Sequence, residues 1–259
     1  MNSKLDYTVE RIFENRKITE NLYELEIQGD FKGIPGQFYM LRCWDMEPVL
    51  WRPLSIHHLD NKRIVLLYHV TGRGTKKLSN LKSGDEIKIL GPLGNGFYIE
   101  NIMKKNIAVI TGGIGIAPMF YIAENIREKI KKDELLYKDC KLDLYAGFKD
   151  NAYCMEKFKP LVDNIYVSTE RGIEGKRGYI TDIFEPEKYD VVLCCGPQIM
   201  MKKVINMCRE KQVTLYVSME NRMACGIGAC LVCTCNTVDG NKRVCKDGPV
   251  FLGTDIVIE

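Results

Sequence analysis

Ile107-Ala108-Val109-Ile110-Thr111-Gly112-Gly113-Ile114-Gly115-Ile116-Ala117-Pro118 decides the architecture of this chain. Its first five residues predict a buried strand, and the glycines predict a turn whose backbone can take positive φ and let a ligand approach. Pro118 suits the first turn of a helix, where its missing N–H costs nothing. Phe120, Ala123, Ile126 and Ile130 then recur on one helical face. The unit reads as strand, glycine turn and helix, with free amides at the helix start that suit a pyrophosphate. It is not the G-x-G-x-x-G fingerprint, because the third glycine is absent.

Working toward the C-terminus, apolar strands are expected at Leu142 to Ala146, Ile165 to Ser168, Val191 to Cys195 and Leu215 to Ser218. Helical patterns lie between them, including Met200, Val204, Met207 and Cys208 on one face. Residues 100–219 are therefore expected to form a parallel α/β sheet flanked by helices. A second strand ends in Cys194-Cys195-Gly196-Pro197 and opens a helix at Gln198, so both turns fall on the carboxyl edge where such sheets bind ligands. Cys195 is expected to face a ligand there. The glycine-rich run from Thr169-Glu170-Arg171-Gly172 to Gly175-Lys176-Arg177-Gly178 reads either as a ribose or adenine contact or as a solvated loop.

Working toward the N-terminus, residues 1–99 contain short strand-like stretches at Tyr7 to Ile12, Leu22 to Ile27, Gln37 to Leu41, Leu54 to His57, Ile64 to Val70 and Glu86 to Leu90. Turn signals separate them, which predicts an antiparallel β-barrel ending at the Gly91-Pro92-Leu93-Gly94-Asn95-Gly96 linker. In Arg52-Pro53-Leu54-Ser55 a rigid turn carries a guanidinium suited to a bidentate phosphate contact and a hydroxyl able to donate to a ring nitrogen. Leu67-Tyr68-His69 and then Gly72-Arg73-Gly74-Thr75 offer a second glycine turn with a basic residue and a hydroxyl. The three histidines, His57, His58 and His69, all lie in the barrel and have ordinary strand readings.

Residues 220–259 differ from both. Among 11 cysteines and 3 histidines in the chain, five of the cysteines fall between Cys225 and Cys245. Cys225, Cys230 and Cys233 form C-x4-C-x2-C with Cys245 following, the spacing of plant-type [2Fe-2S] sites in its first three members. Gly226, Gly228 and Ala229 allow a tight loop whose amides point at sulfur. A four-cysteine zinc site is the competing reading, and a register using Cys235 is a further one. A net charge of +3 spread along 259 residues indicates no nucleic-acid field. The start of the chain has no apolar signal region and no run approaches the roughly 18 residues of a membrane span, so a soluble cytoplasmic protein with free thiols is expected.

Together, R-P-x-S in a barrel, G-G-x-G-x-A-P and C-G-P in an α/β domain, and the terminal C-x4-C-x2-C resemble the ferredoxin reductase superfamily. Met223 to Cys230 and Arg243-Val244-Cys245-Lys246-Asp247-Gly248-Pro249-Val250-Phe251 are similar to the electron-transfer subunits of class 1B dihydroorotate dehydrogenases. That resemblance implies an FAD barrel (1–99), an NAD domain (100–219) and a [2Fe-2S] domain (220–259). It implies that Arg52 and Thr75, with Pro53, Leu54 and Gly74 around them, hold FAD phosphates, that Ser55 lies near the flavin and that Leu67, Tyr68 and His69 line its ribityl or adenine part. Gly112, Gly113, Gly115 and Pro118 would flank the nicotinamide dinucleotide opposite Cys195, Gly196 and Pro197, and Cys225, Cys230, Cys233 and Cys245 would hold the cluster. Leu54 stands where a flavin-stacking tyrosine is common, Trp51 where arginine is common, Val232 where a small residue is common, and Arg171 where an acid is common, which leaves NADPH use open.

Electron counting points the same way: NAD(H) exchanges a hydride, a [2Fe-2S] cluster accepts one electron, and a flavin joins the two. No Ser-His-Asp or paired-carboxylate constellation argues for hydrolysis. The resemblance adds a partner, an FMN-containing catalytic dihydroorotate dehydrogenase subunit, in a heterotetramer of two of each. The small FAD and [2Fe-2S] subunit of an NAD(P)H transhydrogenase, sulfide dehydrogenase or sulfhydrogenase is the alternative within this chemistry. A zinc-stabilised interaction module is the alternative outside it.

Overall fold

The computed structural model describes residues 7–257, so the first six residues of the expected barrel segment and the last two of the cysteine-rich segment lie outside it. Strands β1 (Thr8–Lys17), β2 (Leu22–Gln28), β3 (Phe38–Arg42), β4 (Arg52–Leu59), β5 (Arg63–His69) and β6 (Glu86–Leu93) close into an antiparallel barrel in the order β1-β2-β5-β4-β3-β6. The period-2 pattern explains its filling. Leu25, Ile27, Leu41, Ile56, Ile64 and Leu66 point inward and are fully buried, and each such aliphatic side chain contributes about 1.5–3 kcal/mol of transfer free energy. Helix α1 (Arg73–Leu78) packs Leu78 into the same core. β1 runs five residues beyond its expected end at Ile12, because the polar Phe13 to Lys17 segment finds ladder partners in β2.

After α2 (Ile99–Ile102), β7 (Asn106–Gly112) starts an α/β layer that continues through α3 (Ile116–Lys132), α4 (Glu134–Tyr137), β8 (Lys141–Phe148), α5 (Met155–Phe158), β9 (Asn164–Thr169), β10 (Lys176–Arg177), β11 (Val191–Cys195), α6 (Gln198–Glu210) and β12 (Thr214–Ser218). These strands are parallel neighbours in the order β10-β9-β8-β7-β11-β12. Ile116, Ile122, Ala123, Ile126 and Ile130 of α3 cover one face, and Met201, Val204, Ile205 and Cys208 of α6 cover the other. Strands covered on both faces read as continuous apolar runs, and β7 and β11 do so.

The cysteine-rich segment is stitched to both units. β13 (Thr234–Thr237) and β14 (Gly240–Arg243) form a separate hairpin. β15 (Val250–Leu252) then returns and pairs antiparallel with β12, Val217 opposite Phe251. On the barrel side, the Asn95 amide donates to Gly248 O and its Nδ2 donates to Asp247 O at 2.8 Å.

Barrel and sheet meet through β4 and α3. His57 is fully buried, its Nδ1 2.9 Å from Ala117 O and its ring stacked on Phe120 at 4.8 Å. Burial pushes its pKa down to about 4, so the ring is neutral. Glu24 of β2 accepts from Lys157 of α5 and from Arg16 at 2.5 Å, which places a charge cluster around a buried carboxylate, with half-exposed cations, across the same junction.

Candidate functional site

A cavity of about 300 Å³ lies where these units meet. The barrel supplies Arg52, Pro53, Leu54 and Ser55 from β4, Leu67, Tyr68 and His69 from β5, and Thr71 and Thr75. The glycine turn and α3 supply Ile114, Ala117 and Pro118, and the segment leaving β12 supplies Ser218, Met219, Glu220, Asn221 and Met223. Two motifs about sixty residues apart in sequence thus face each other across one opening.

The Arg52 guanidinium lies against the Gly72-Arg73-Gly74-Thr75 turn so closely that a Cβ on Gly74 would fall 2.2 Å from Arg52 Nε. Its Nη1 donates to Leu50 O at 2.6 Å, and the group sits 5.5 Å over the Trp44 ring. Among the described residues no carboxylate pairs with it. A half-buried guanidinium without a carboxylate, in a cradle only glycine leaves open, fits an anionic diphosphate. Thr75 lines the cavity, but its hydroxyl is committed to the turn: it accepts from the amides of Thr71 (2.9 Å) and Gly72 (3.2 Å) and donates to Gly72 O. Tyr68 points the other way from its neighbours, as alternation on β5 requires, with its ring in the barrel core and its hydroxyl donating to Asn15 Oδ1 at 3.1 Å. His69 makes an edge contact with Tyr153, which carries β5 toward the α/β layer.

The two glycine turns of the sheet touch each other. A Cβ on Gly115 would lie 2.4 Å from Cys195 O, and one on Gly112 would lie 2.7 Å from Pro197 Cδ. Gly113, at φ +53, has nothing within 4 Å of its absent Cβ and is open. Cys195 lies behind the cavity wall. Its thiol is fully buried and 3.6 Å from Glu220 Oε1, and it is Glu220 that lines the opening. Burial and the Glu220 charge push the Cys195 thiol far up, while burial also raises the Glu220 carboxyl. The reason is packing: β11 is covered on both faces, so a strand-end side chain there points into a core. The segment Ser218 to Asn221 was not among the expected site residues. Its signal was available, since it leaves the carboxyl end of another parallel strand, β12.

Next to this wall the thiols converge. Gly226 (φ +73) and Gly228 (φ +82) take left-handed conformations, and a Cβ on Gly226 would lie 2.8 Å from Met40 Cγ of the barrel. The Gly228 amide donates to Cys245 Sγ at 3.1 Å, and the Cys245 amide to Cys233 Sγ at 3.4 Å. Burial opposes ionisation of Cys225, yet the amides of Ile227, Cys230 and Ala229 pull its pKa down to about 6. Burial and the neighbouring Cys233 push Cys245 up to about 12. An amide-lined loop with C-x4-C-x2-C spacing suits a two-iron centre better than the C-x2-C knuckles of tetrahedral zinc. Cys235 sits on β13 and lines a separate cavity with Met201, Ile205 and Thr234. All eleven cysteines are free.

Residues 220–257 match the family described as the iron-sulfur cluster binding domain of dihydroorotate dehydrogenase B. The whole chain is 52% identical to the dihydroorotate dehydrogenase B (NAD+) electron transfer subunit of Clostridium acetobutylicum, over 98% of this chain and 99% of that one. It is 43% identical to the Clostridium perfringens protein of the same name, over 97% and 98% of the two chains. Among solved structures it is similar to one described under flavin-based electron bifurcation by the NADH-dependent reduced ferredoxin-NADP oxidoreductase, with a TM-score of 0.82, 28% identity and coverage of 99% and 91%. A ferredoxin NADP+ reductase from Neisseria gonorrhoeae with bound FAD and NADP shares the fold, with a TM-score of 0.66, 18% identity and coverage of 85% and 96%.

Proposed function

This chain belongs to the family of dihydroorotate dehydrogenase B (NAD+) electron transfer subunits, and on that premise we propose which of its residues carry the electrons and to what partner. It is an oxidoreductase subunit of pyrimidine biosynthesis that uses FAD, a [2Fe-2S] cluster and NAD(H). Under this reading residues 1–99 hold the flavin, 100–219 the nicotinamide nucleotide and 220–259 the cluster, with Val250–Leu252 shared with the nucleotide sheet. Bound in the cavity, FAD supplies the exchange between hydride transfer and single-electron transfer.

The protein's part is positioning. Arg52 holds the diphosphate, with Gly74 keeping the space open and Thr75 fixing the turn. Pro53, Leu54 and Ser55 set the wall along the ring system, and Leu67 to His69 set the opposite wall. Gly112, Gly113, Gly115 and Pro118 admit the nicotinamide dinucleotide beside Cys195, Gly196 and Pro197. Cys195 acts there through Glu220, not by contact, because its thiol is covered. Cys225, Cys230, Cys233 and Cys245 would hold the cluster. The partner is a catalytic subunit carrying FMN, in a heterotetramer of two of each in the cytoplasm. Oxidation of dihydroorotate at that subunit releases two electrons and two protons; with its centres bound, this chain would relay the electrons to NAD+, which takes them with one proton as hydride while the other proton goes to solvent. Free thiols throughout the chain support a reducing compartment, and among the described residues no helix is long and apolar enough to cross a membrane.

The observation that carries this reading is continuity: the cavity wall at Asn221 and Met223 runs within two residues into Cys225. Co-expression with an FMN-containing catalytic subunit and an anaerobic assay of dihydroorotate-dependent NAD+ reduction test it. Coupled reduction is expected; FAD and iron without coupling would remove the dihydroorotate partner and leave the redox class. The full-length likeness to the bifurcating oxidoreductase structure favours a second reading, a transhydrogenase-type small subunit, which predicts co-purification with a different large flavoprotein.

A further inference from the structure

Asn221 is the point where the flavin cavity and the thiol loop share a side chain. It lines the flavin cavity, and its Nδ2 donates across to Thr234 O at 3.0 Å and Cys233 O at 3.4 Å. It also lines the cavity on the far side, between α6 and the β13–β14 hairpin, so it forms part of the partition between the two spaces. Resting on the assignment of FAD and cluster above, we propose that Asn221 is a positioning residue for electron transfer, fixing the peptide of Cys233 against the flavin wall.

The local backbone explains why a side chain is needed. Leu231 takes φ +61, and the run from Cys230 to Cys233 belongs to no helix or strand, so its carbonyls are met one by one: Leu231 O by the Thr234 hydroxyl, and Cys233 O by the Val244 amide at 3.1 Å and by Asn221. Both acceptors facing Asn221 are carbonyls, so its NH2 is the end that meets them, Thr234 O at 3.0 Å and, beside the Val244 amide, Cys233 O. Cys233 is buried, and its Sγ already accepts from the Cys245 amide at 3.4 Å. The carbonyl of Cys233 is thus held by Asn221 from the cavity side and by the Val244 amide from the hairpin side, and its sulfur by the Cys245 amide. Outer-shell hydrogen bonds of this kind orient metal ligands, and their loss typically costs about 10- to 100-fold in affinity or activity.

The test uses the full chain with both centres loaded, comparing wild type with Asn221→Asp, which is isosteric but turns an acceptor toward two carbonyls, Asn221→Leu, which removes the donors at similar volume, and Asn221→Gln, which keeps the amide. Stopped-flow absorbance separates flavin bleaching by NADH from cluster reduction. Electron paramagnetic resonance of the reduced cluster and hydrogen exchange of the peptide spanning 231–235 report on the loop without turnover. The expected result is flavin bleaching within about twofold of wild type, cluster reduction slowed about 10- to 100-fold, a changed resonance line shape and faster exchange in the Asp and Leu variants, with partial recovery in Gln. Unchanged cluster reduction and line shape in both variants would overturn the inference. So would loss of iron from both, or equal slowing of the two steps, since Asn221 would then be scaffold alone. Wild type failing to bind FAD or iron would instead overturn the underlying assignment.

Discussion

The barrel and sheet on one side, and the loop from Asn221 to Gly248 on the other, are held together by different physics. The scaffold excludes water: Leu25, Ile27, Leu41, Ile64, Val109, Leu144 and Leu193 are all fully buried. The loop has little to exclude. Ile227, Leu231 and Val232 are exposed, and its shape comes from left-handed glycines, amide-to-sulfur hydrogen bonds and the clamp in which Arg243 donates to Asp247 at 2.8 and 2.9 Å. A scaffold of this kind has an order of its own, whereas the loop depends on what its thiols bind. The two regions should therefore fail in different ways.

Removing a sulfur gives the largest effect. Serine at Cys225, Cys230, Cys233 or Cys245 is expected to abolish iron retention, measured by iron content and visible absorbance, while Cys235→Ser keeps it. Iron loss from Cys235→Ser alone would move the ligand register. In the scaffold, only a steric insult compares: Gly115→Ala drives a methyl into Cys195 O and is expected to cost about 3 kcal/mol in urea unfolding, with cluster iron retained in the folded fraction. Arg52→Ala removes charged hydrogen bonds that contribute about 1.5–3 kcal/mol, so FAD should bind about 10- to 100-fold more weakly by fluorescence titration without loss of iron.

Acid separates the regions more gently. Unfolded His57 titrates near 6.5, and the folded group only near 4, so the unfolded chain takes up the proton first. The stability this burial confers is complete above about pH 6.5 and lost as the pH falls toward 4. Between pH 7.5 and 5 the loss is about 2 kcal/mol, and His57→Gln should flatten it in unfolding curves read at the two pH values. The smallest expected change is Gly113→Ala, about 1 kcal/mol for a side chain in the left-handed region, because nothing else stands in its way.

What the sequence made legible follows the same division. Barrel and sheet were readable because alternation and helical periodicity are local signals, and the C-x4-C-x2-C spacing was readable because thiolate geometry is chemical. Directions within a strand were harder. Leu67, Tyr68 and His69 read as one wall, yet Tyr68 turns inward by alternation. Cys195 reads as facing a ligand at a strand end, yet a strand covered on both faces offers no open side. The hydroxyl of Thr75 read as a ligand group, yet backbone amides of its own turn take it first. β15 was invisible because three residues carry no periodicity, and only long-range pairing defines them. Glu220 and Asn221 were missed because their roles depend on two chain segments meeting.

That short strand has a consequence for how the chain can be divided. By pairing with Tyr216 to Ser218, Val250–Leu252 occupies the outer hydrogen-bonding side of β12. A fragment ending at Glu220 would keep the barrel and the six parallel strands of the α/β sheet but present an open strand edge, the kind of template on which copies of a protein add to one another. The tail that carries the thiols is thus also a guard against self-association, and truncation before it should yield aggregating protein and not a smaller soluble reductase.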